Sequence, residues 1–322
     1  MLPNFNYVRP SSLADAVRQL TPDARVHAGG TDLLGCLRDG VFTADTLVSL
    51  SAIEELRGIR PALDGGLAIG AMTTLSAVAA DPRVADRYPA LSRAVAAAAS
   101  PQLRNQGTIG GNICQRPRCW YYRGEFHCAR KGGEKCFAAE GENQFHCVFG
   151  GEVCFYVHPS DAAPALVALD AVVRIVGPAG ARSVAADAFF VPPSTDYTRE
   201  TVLGPGEIVT EIVLPAQPQR TRGTYRKVRA RGSWDFALAG AAVVATIADG
   251  RVGRVRIVLS GVAPIPWRAP GAERALAGQR LSAKSAAKAA AAAVVGAQPL
   301  AQNTYKVEML RGAVEEALLE LA

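Results

Sequence analysis

The chain has 322 residues, of which 49% are hydrophobic, 20% charged and 7% aromatic, a composition that excludes disorder and a collagen-like chain and leaves a globular protein of one large or two smaller domains. Its formal net charge is +6, but the basic residues are scattered and no RRM, KH, zinc-finger or basic-helix signature occurs, so no nucleic-acid partner is predicted. The longest apolar stretch, Phe236 to Ala248, spans 13 residues, too short to cross a bilayer, and the opening MLPNFNYVRP lacks a basic start followed by an apolar run, so neither a membrane helix nor a signal peptide is expected.

Ser12 precedes apolar residues at Leu13, Ala16, Val17 and Leu20, with Asp15 as a capping acid, which predicts a short amphipathic helix. A β-like run, Arg25 to Ala28, enters Gly29-Gly30-Thr31-Asp32 and then Leu33-Leu34, so a glycine turn joins a strand to a helical turn. Strands are predicted at 46–50 and 67–70, and apolar helices from Leu75 and over 88–99, the latter stopped by Pro101. From Cys114 to Tyr156 no period of 2 or 3.6 residues survives, and this stretch reads as an irregular insert organised by a ligand. Beyond it come a helix at 161–169, strands at 171–176 and 207–214, a linker at 215–223, strands at 224–228, 241–247 and 252–259, and helices at 282–295 and 307–321.

Two segments carry chemistry. A pyrophosphate needs several converging backbone N–H groups, which residues without a bulky Cβ allow, and Gly29 to Asp32 and Gly107-Thr108-Ile109-Gly110-Gly111-Asn112 both meet that need. Neither has the Rossmann or Walker spacing. The second segment is the insert, with six of the seven cysteines, Cys114, Cys119, Cys128, Cys136, Cys147 and Cys154, inside 41 residues, and nine of the 21 aromatics. Such clustering in a long chain points to metal or redox chemistry rather than a disulfide scaffold. An iron-sulfur cluster needs four thiolates shielded by apolar groups, whereas structural zinc usually shows C-x2-4-C pairs, which are absent; the short ferredoxin repeat is absent as well, so spacing alone leaves both metals open. His127 and His146 read as surface residues of the insert, with zinc or Rieske-type ligation as the alternative; His27 and His158 are read as either lining a pocket or packing. No Ser-His-Asp or paired-carboxylate motif occurs.

Ala28 to Leu33, the segment Leu103 to Asn112, the Ser160-Asp161 helix start and Tyr225-Arg226-Lys227-Val228 with Arg231, Asp235 and Phe236 together resemble the FAD-binding medium subunit of the xanthine oxidase, or molybdenum hydroxylase, family over essentially the whole chain. The resemblance implies an α+β fold: a vanillyl-alcohol-oxidase (PCMH) type FAD-binding domain over 1–217, with sub-domains of about 1–57 and 58–217 and an iron-sulfur insert at 113–159, then a domain over 221–322 like the carbon monoxide dehydrogenase flavoprotein C-terminal domain. It places FAD on Ala28, Gly29, Gly30, Thr31, Asp32, Leu33, Gly110 and Gly111, with Thr108, Asn112 and Asp161 bonding its polar groups, Lys227 near the isoalloxazine, and Thr73 on a further flavin-contacting strand end.

Most members of that family pass directly from the Gly-Gly-Asn turn to the Ser-Asp helix. The insert is similar to the branch with a [4Fe-4S] cluster in the flavin subunit, periplasmic aldehyde oxidoreductase and 4-hydroxybenzoyl-CoA reductase, and implies Cys119, Cys128, Cys136 and Cys154 as ligands, with Cys114 and Cys147 spare and Cys147 able to substitute for Cys154. The implied role is an oxidoreductase subunit in a heterotrimer, drawing electrons from a large molybdenum-pterin subunit through a small subunit with two [2Fe-2S] clusters to FAD and an external acceptor. Arg116, Arg118, Arg123, Arg130, Lys131 and Lys135 would dock an acidic ferredoxin, or else form a solvated surface. Aldehyde oxidation is the leading expectation; an aroyl-CoA reductase with reversed electron flow and a stand-alone flavin oxidoreductase with a structural zinc insert are the alternatives. The compartment is cytoplasmic, or periplasmic if a signal-bearing partner carries the complex across.

Overall fold

A computed structural model describes residues 1–322. Three sheets, one after another along the chain, form its frame. The first joins β1 (Asn6–Val8), β2 (Ala24–His27) and β3 (Thr46–Ser49) in the order β1-β3-β2, all parallel. Parallel neighbours need crossovers, and the helices Leu13–Gln19 and Leu33–Arg38 supply them. Ser12 caps the first of these by accepting from Asp15 N, as its sequence foretold.

The second sheet is antiparallel, in the order β4 (Ile59–Pro61), β5 (Leu67–Gly70), β8 (Ile208–Leu214), β6 (Val172–Gly177), β7 (Gly180–Ala185). After β5 come four short helices in succession, 75–80, 82–87, 89–96 and 101–106, the last three beginning on Pro82, Pro89 and Pro101. Pro101 therefore starts a helix, where the sequence reading took it as a stop. The reason is local: a proline at the first helical position loses no bond, and Ser100 caps the helix by accepting from Leu103 N.

The third sheet, β9 (Thr221–Val228), β10 (Ala239–Ala248), β11 (Arg251–Ser260) and β12 (Trp267–Arg268), is antiparallel in the order β12-β11-β10-β9. Alternate side chains of β10 point to opposite faces. Ala242 and Val244 join the core built on the second sheet, while Ala241, Val243 and Ala245 pack with the helices 270–276, 283–293 and 305–319. A strand buried on both faces reads as a continuous apolar run, which is why Phe236 to Ala248 held the longest one in the chain. The helix Ala162–Ala168 sits in the shared core with every residue buried. Asp161, immediately before it, is thereby fixed at the junction of the second and third sheets.

The insert is mostly irregular, with single turns at Trp120–Arg123 and Ala129–Lys131. The C-terminal domain holds it down. Asn143 N donates to Gln302 Oε1 at 3.2 Å while Gln302 N donates back to Asn143 Oδ1 at 3.0 Å. Buried Asn303 donates to the carbonyls of His146 and Cys147, each at 3.1 Å. Lys306, wholly buried, donates to the carbonyls of Phe145, His146 and Gly261 at 3.2, 3.0 and 2.6 Å.

Candidate functional site: a glycine cleft beside a cysteine cavity

β2 ends at His27 and the chain turns through Gly29 and Gly30 into the helix Leu33–Arg38. Gly30 has φ +71°, a conformation that favours glycine, and a Cβ there would lie 2.8 Å from His27 Nε2. A Cβ on Gly29 would overlap the carbonyl oxygen of Gln106, so the first glycine turn rests directly on the second. The second turn is fastened from behind: Ile109 N donates to Thr73 O and Gly110 N to Ala71 O, each at 2.9 Å, and Thr108 caps the helix Ile109–Ile113 by accepting from Gly111 N. Ser160 Oγ donates to Asn112 Oδ1 at 2.5 Å and accepts from Ala163 N at 3.0 Å, which ties this turn to the buried helix.

The two turns line a cleft of about 700 Å³, within the range of a cofactor site, with Asp161, Arg231, Trp234, Asp235 and Phe236 along its far side. The backbone N–H groups of residues 29–32 find no acceptor within the chain. Such unpartnered donors on a glycine-lined wall are what a pyrophosphate requires, and FAD fits the residues present. At the far end Asp161 accepts from Tyr225 Oη at 2.7 Å and from Lys227 Nζ at 2.8 Å. Burial raises the Asp161 carboxyl above the usual range, opposed by Lys227 and Tyr225.

Cys119, Cys128, Cys136 and Cys154 line one small cavity in the insert, walled by Tyr121, Tyr122, Phe137 and Tyr156. Backbone N–H groups point at three of the four sulfurs: those of Tyr121 and Tyr122 at Cys119, those of Ala138, Ala139 and Phe155 at Cys136, and that of Tyr156 at Cys154. N–H groups aimed at sulfur stabilise thiolates, and the donor set suits a cluster held by four cysteines. Cys136 and Cys154 titrate as a pair across the cavity, their mutual influence pushing the Cys136 thiol down and the Cys154 thiol up. Burial lifts Cys119 to about 11. No three His, Cys, Asp or Glu side chains converge on a point that a single metal ion could fill. Cys147 and Cys114 lie outside this cavity; burial pushes each thiol up to about 12, and Cys114 faces the glycine cleft instead.

A further cavity of about 190 Å³ separates the two sites, with Cys119 and His146 in its wall on one side and Asp161, Asp235 and Phe236 on the other.

Comparison with known proteins accounts for this pairing of turns and domains. Residues 3–217 match the FAD binding domain in molybdopterin dehydrogenase and residues 223–321 the CO dehydrogenase flavoprotein C-terminal domain. The chain belongs to the FAD-binding medium subunits of the xanthine oxidase and carbon monoxide dehydrogenase family. It is thus an oxidoreductase subunit. It is 37% identical to the aldehyde oxidoreductase FAD-binding subunit PaoB of Escherichia coli (strain K12), covering 98% of each chain, and 33% identical to the carbon monoxide dehydrogenase medium chain of Hydrogenophaga pseudoflava, covering 98% of this chain and 96% of that one. Among solved structures it superposes on reconstituted CO dehydrogenase from Oligotropha carboxidovorans with a TM-score of 0.79 at 29% identity, covering 99% of this chain and 98% of that one.

Within this medium subunit, eleven of the thirteen residues expected to hold FAD line the one cleft. Thr73 and Lys227 do not. The Thr73 hydroxyl donates to Gly58 O at 3.0 Å, so this residue braces the second turn from below, and Lys227 lies behind Asp161 with its side chain 3% exposed. Asp32 offers the cleft its backbone, because its carboxylate is taken: it accepts from Arg116 N at 2.7 Å, Arg123 at 2.7 Å and Arg118 at 2.9 Å.

Those contacts also correct the reading of the insert's basic residues as a docking patch or a solvated face. Arg118 and Arg123 bind Asp32, while Arg116 and Arg130 share the buried carboxylate of Glu200, Arg130 stacking over Tyr156 at 4.8 Å. Four of the six cations are therefore internal struts between insert and flavin domain. His146 departs from expectation too. It is 3% exposed, with Nε2 3.2 Å from Cys119 Sγ, and burial and the neighbouring Lys306 push its imidazole down to about 4. His127 is exposed, as expected. His158 is buried in the wall of the intervening cavity, its ring held down to about 3 by burial, and His27 packs beneath Gly30. Glu200, the counter-ion of two struts, escaped the sequence reading because nothing local to residue 200 announces partners at 116 and 130.

Proposed function

We propose that this chain is the FAD- and [4Fe-4S]-carrying electron-transfer subunit of a heterotrimeric molybdenum hydroxylase, receiving electrons from a molybdenum-pterin large subunit through two [2Fe-2S] clusters on a small subunit, and acting in aldehyde oxidation. The observation that carries this reading is the gathering of Cys119, Cys128, Cys136 and Cys154 around one cavity, with backbone N–H groups on three of the sulfurs, a short step from the glycine cleft. Aldehyde oxidation is supported by the 37% identity to a subunit named for that activity. A structural zinc clip in the insert is the competing reading, which metal analysis of the purified complex decides.

FAD, when bound, accepts electrons singly and releases them in pairs. The residues of this chain supply position and environment. The free N–H groups of residues 29–32 would hold the pyrophosphate, and the Asp161-Lys227 pair with Tyr225 sets a buried ion pair at the far end of the cleft. The tyrosine and phenylalanine walls cover the cysteine cavity, with Cys128 and Cys154 buried and Cys119 and Cys136 partly exposed. No acid-base residue is needed, since substrate is oxidised on another chain. Purification of the complex with its natural partners, followed by iron, acid-labile sulfide and flavin analysis of this chain, tests the proposal. About four irons with matching sulfide and a single FAD are expected; zinc without iron overturns it.

A further inference from the structure

We infer that His146 is a positioning residue for the cluster, donating a hydrogen bond from Nε2–H to the Cys119 sulfur and thereby raising the cluster's reduction potential. This rests on the reading that Cys119, Cys128, Cys136 and Cys154 hold the cluster. The ring nitrogen lies 3.2 Å from Cys119 Sγ. A metal-bound thiolate carries no proton, so in the loaded chain the sulfur accepts and the ring donates.

The rest of the fold keeps the ring there. Trp120 and Tyr121 flank it at centroid distances of 5.6 and 6.1 Å. Its backbone is pinned at both ends: His146 N donates to Asn143 O at 3.0 Å, and His146 O accepts from Asn303 at 3.1 Å and Lys306 at 3.0 Å. The C-terminal domain thus sets the ring's position through residues that touch no cysteine of the cavity.

Position in the molecule gives the contact its effect. Cys119 is the only one of the four cysteines that lines both the cysteine cavity and the cavity leading to the flavin cleft, and His146 lines both as well. One electron entering the cluster adds negative charge to its sulfurs, with no bond formed or broken and the proton remaining on Nε2. An N–H group at the sulfur facing the flavin stabilises that reduced form, so its removal lowers the potential.

The test compares the complex containing the wild-type chain with those containing His146→Leu and His146→Gln, by potentiometric titration of the cluster's electron paramagnetic resonance signal together with iron and flavin content. Leucine removes the donor and is expected to lower the midpoint by a tenfold change in the oxidation equilibrium or more, which for one electron is about 59 mV. Glutamine keeps an N–H at similar reach and is expected to recover most of that shift, with the flavin midpoint unchanged in both. An unaltered midpoint in the leucine variant with iron intact overturns the inference, as does an equal shift in both variants. If the leucine variant loses iron, the glutamine variant decides: a midpoint near wild type supports the hydrogen bond, and loss of iron there too overturns it. A wild-type complex without iron overturns the cluster reading itself.

Discussion

Gly30 shows how far one residue governs the cleft. Its φ of +71° costs an L-residue about 1–2 kcal/mol, and a Cβ would also press on His27 Nε2 at 2.8 Å, so Gly30→Ala must shift the wall that presents the free N–H groups. Its expected outcome is a flavin affinity reduced roughly tenfold or more with a Tm lowered by only a few degrees, read from flavin-to-protein ratio, fluorescence titration and calorimetry. The cysteines make a second comparison. Cys154→Ser is expected to lose the cluster's iron and Cys147→Ser to retain it, because only the former sulfur lines the cavity; iron assay of the two purified variants decides, and the reverse result reassigns the fourth ligand. The glycines were legible at this scale because a turn that needs them is local. His146 was not, since its contact with Cys119 closes a loop of 27 residues that has no periodic pattern to place its ends.

Among the elements, those with strong local rules were readable and those defined by what covers them were not. The capped helix at 13–19 and the two-faced strand β10 follow from spacing and from an unbroken apolar run. β7 was missed because it is an edge strand with five of its six residues exposed, GARSVA, and so has no buried alternation to detect. A helix was foreseen over 307–321; the observed helix Tyr305–Leu319 starts two residues earlier, and its role as a clamp on the insert depends on Lys306, a buried lysine just outside the expected span.

Lys306→Met leaves the carbonyls of Phe145 and Gly261 without a donor, each worth ~1–3 kcal/mol when buried, while that of His146 keeps Asn303, and a fall in Tm of roughly 5 °C or more is expected by calorimetry. Burial holds the Lys306 ammonium down at about 8, against 10.5 for an exposed lysine. Between those values the unfolded chain keeps a proton that the native chain has released, so this group adds stability as pH rises from about 8 towards 10.5. The stability gap between wild type and the methionine variant is therefore expected to widen across that window; a constant gap shows that Lys306 does not titrate there.

For the molecule as a whole, the sequence suggested two domains and a separate insert, whereas the structure joins them through one shared core and a set of ion pairs. Tyr225, Ala242, Val244 and Val258 of the third sheet pack into the core of the second. The insert is tied to the flavin domain at two carboxylates, Asp32 and Glu200, and neither link lies within the reach of a local pattern. Asp32 sits on the very turn whose N–H groups face the cleft. Removing iron with a chelator under reducing conditions is thus expected to loosen flavin as well, measured as FAD released on gel filtration; full retention of flavin on an iron-free chain shows the two sites to be independent.

On the proposed assignment, the Asp32 carboxylate, held by Arg116 N, Arg118 and Arg123, would link the cysteine insert to the turn that lines the glycine cleft. A coupling confirmed by that release experiment would run equally in both directions, and molecules would then be expected to acquire both groups or neither. The yellow of a preparation then reports on its brown, and the ratio of flavin to iron, held steady across preparations of differing yield, is the mark of a chain whose assembly proceeds as a single event.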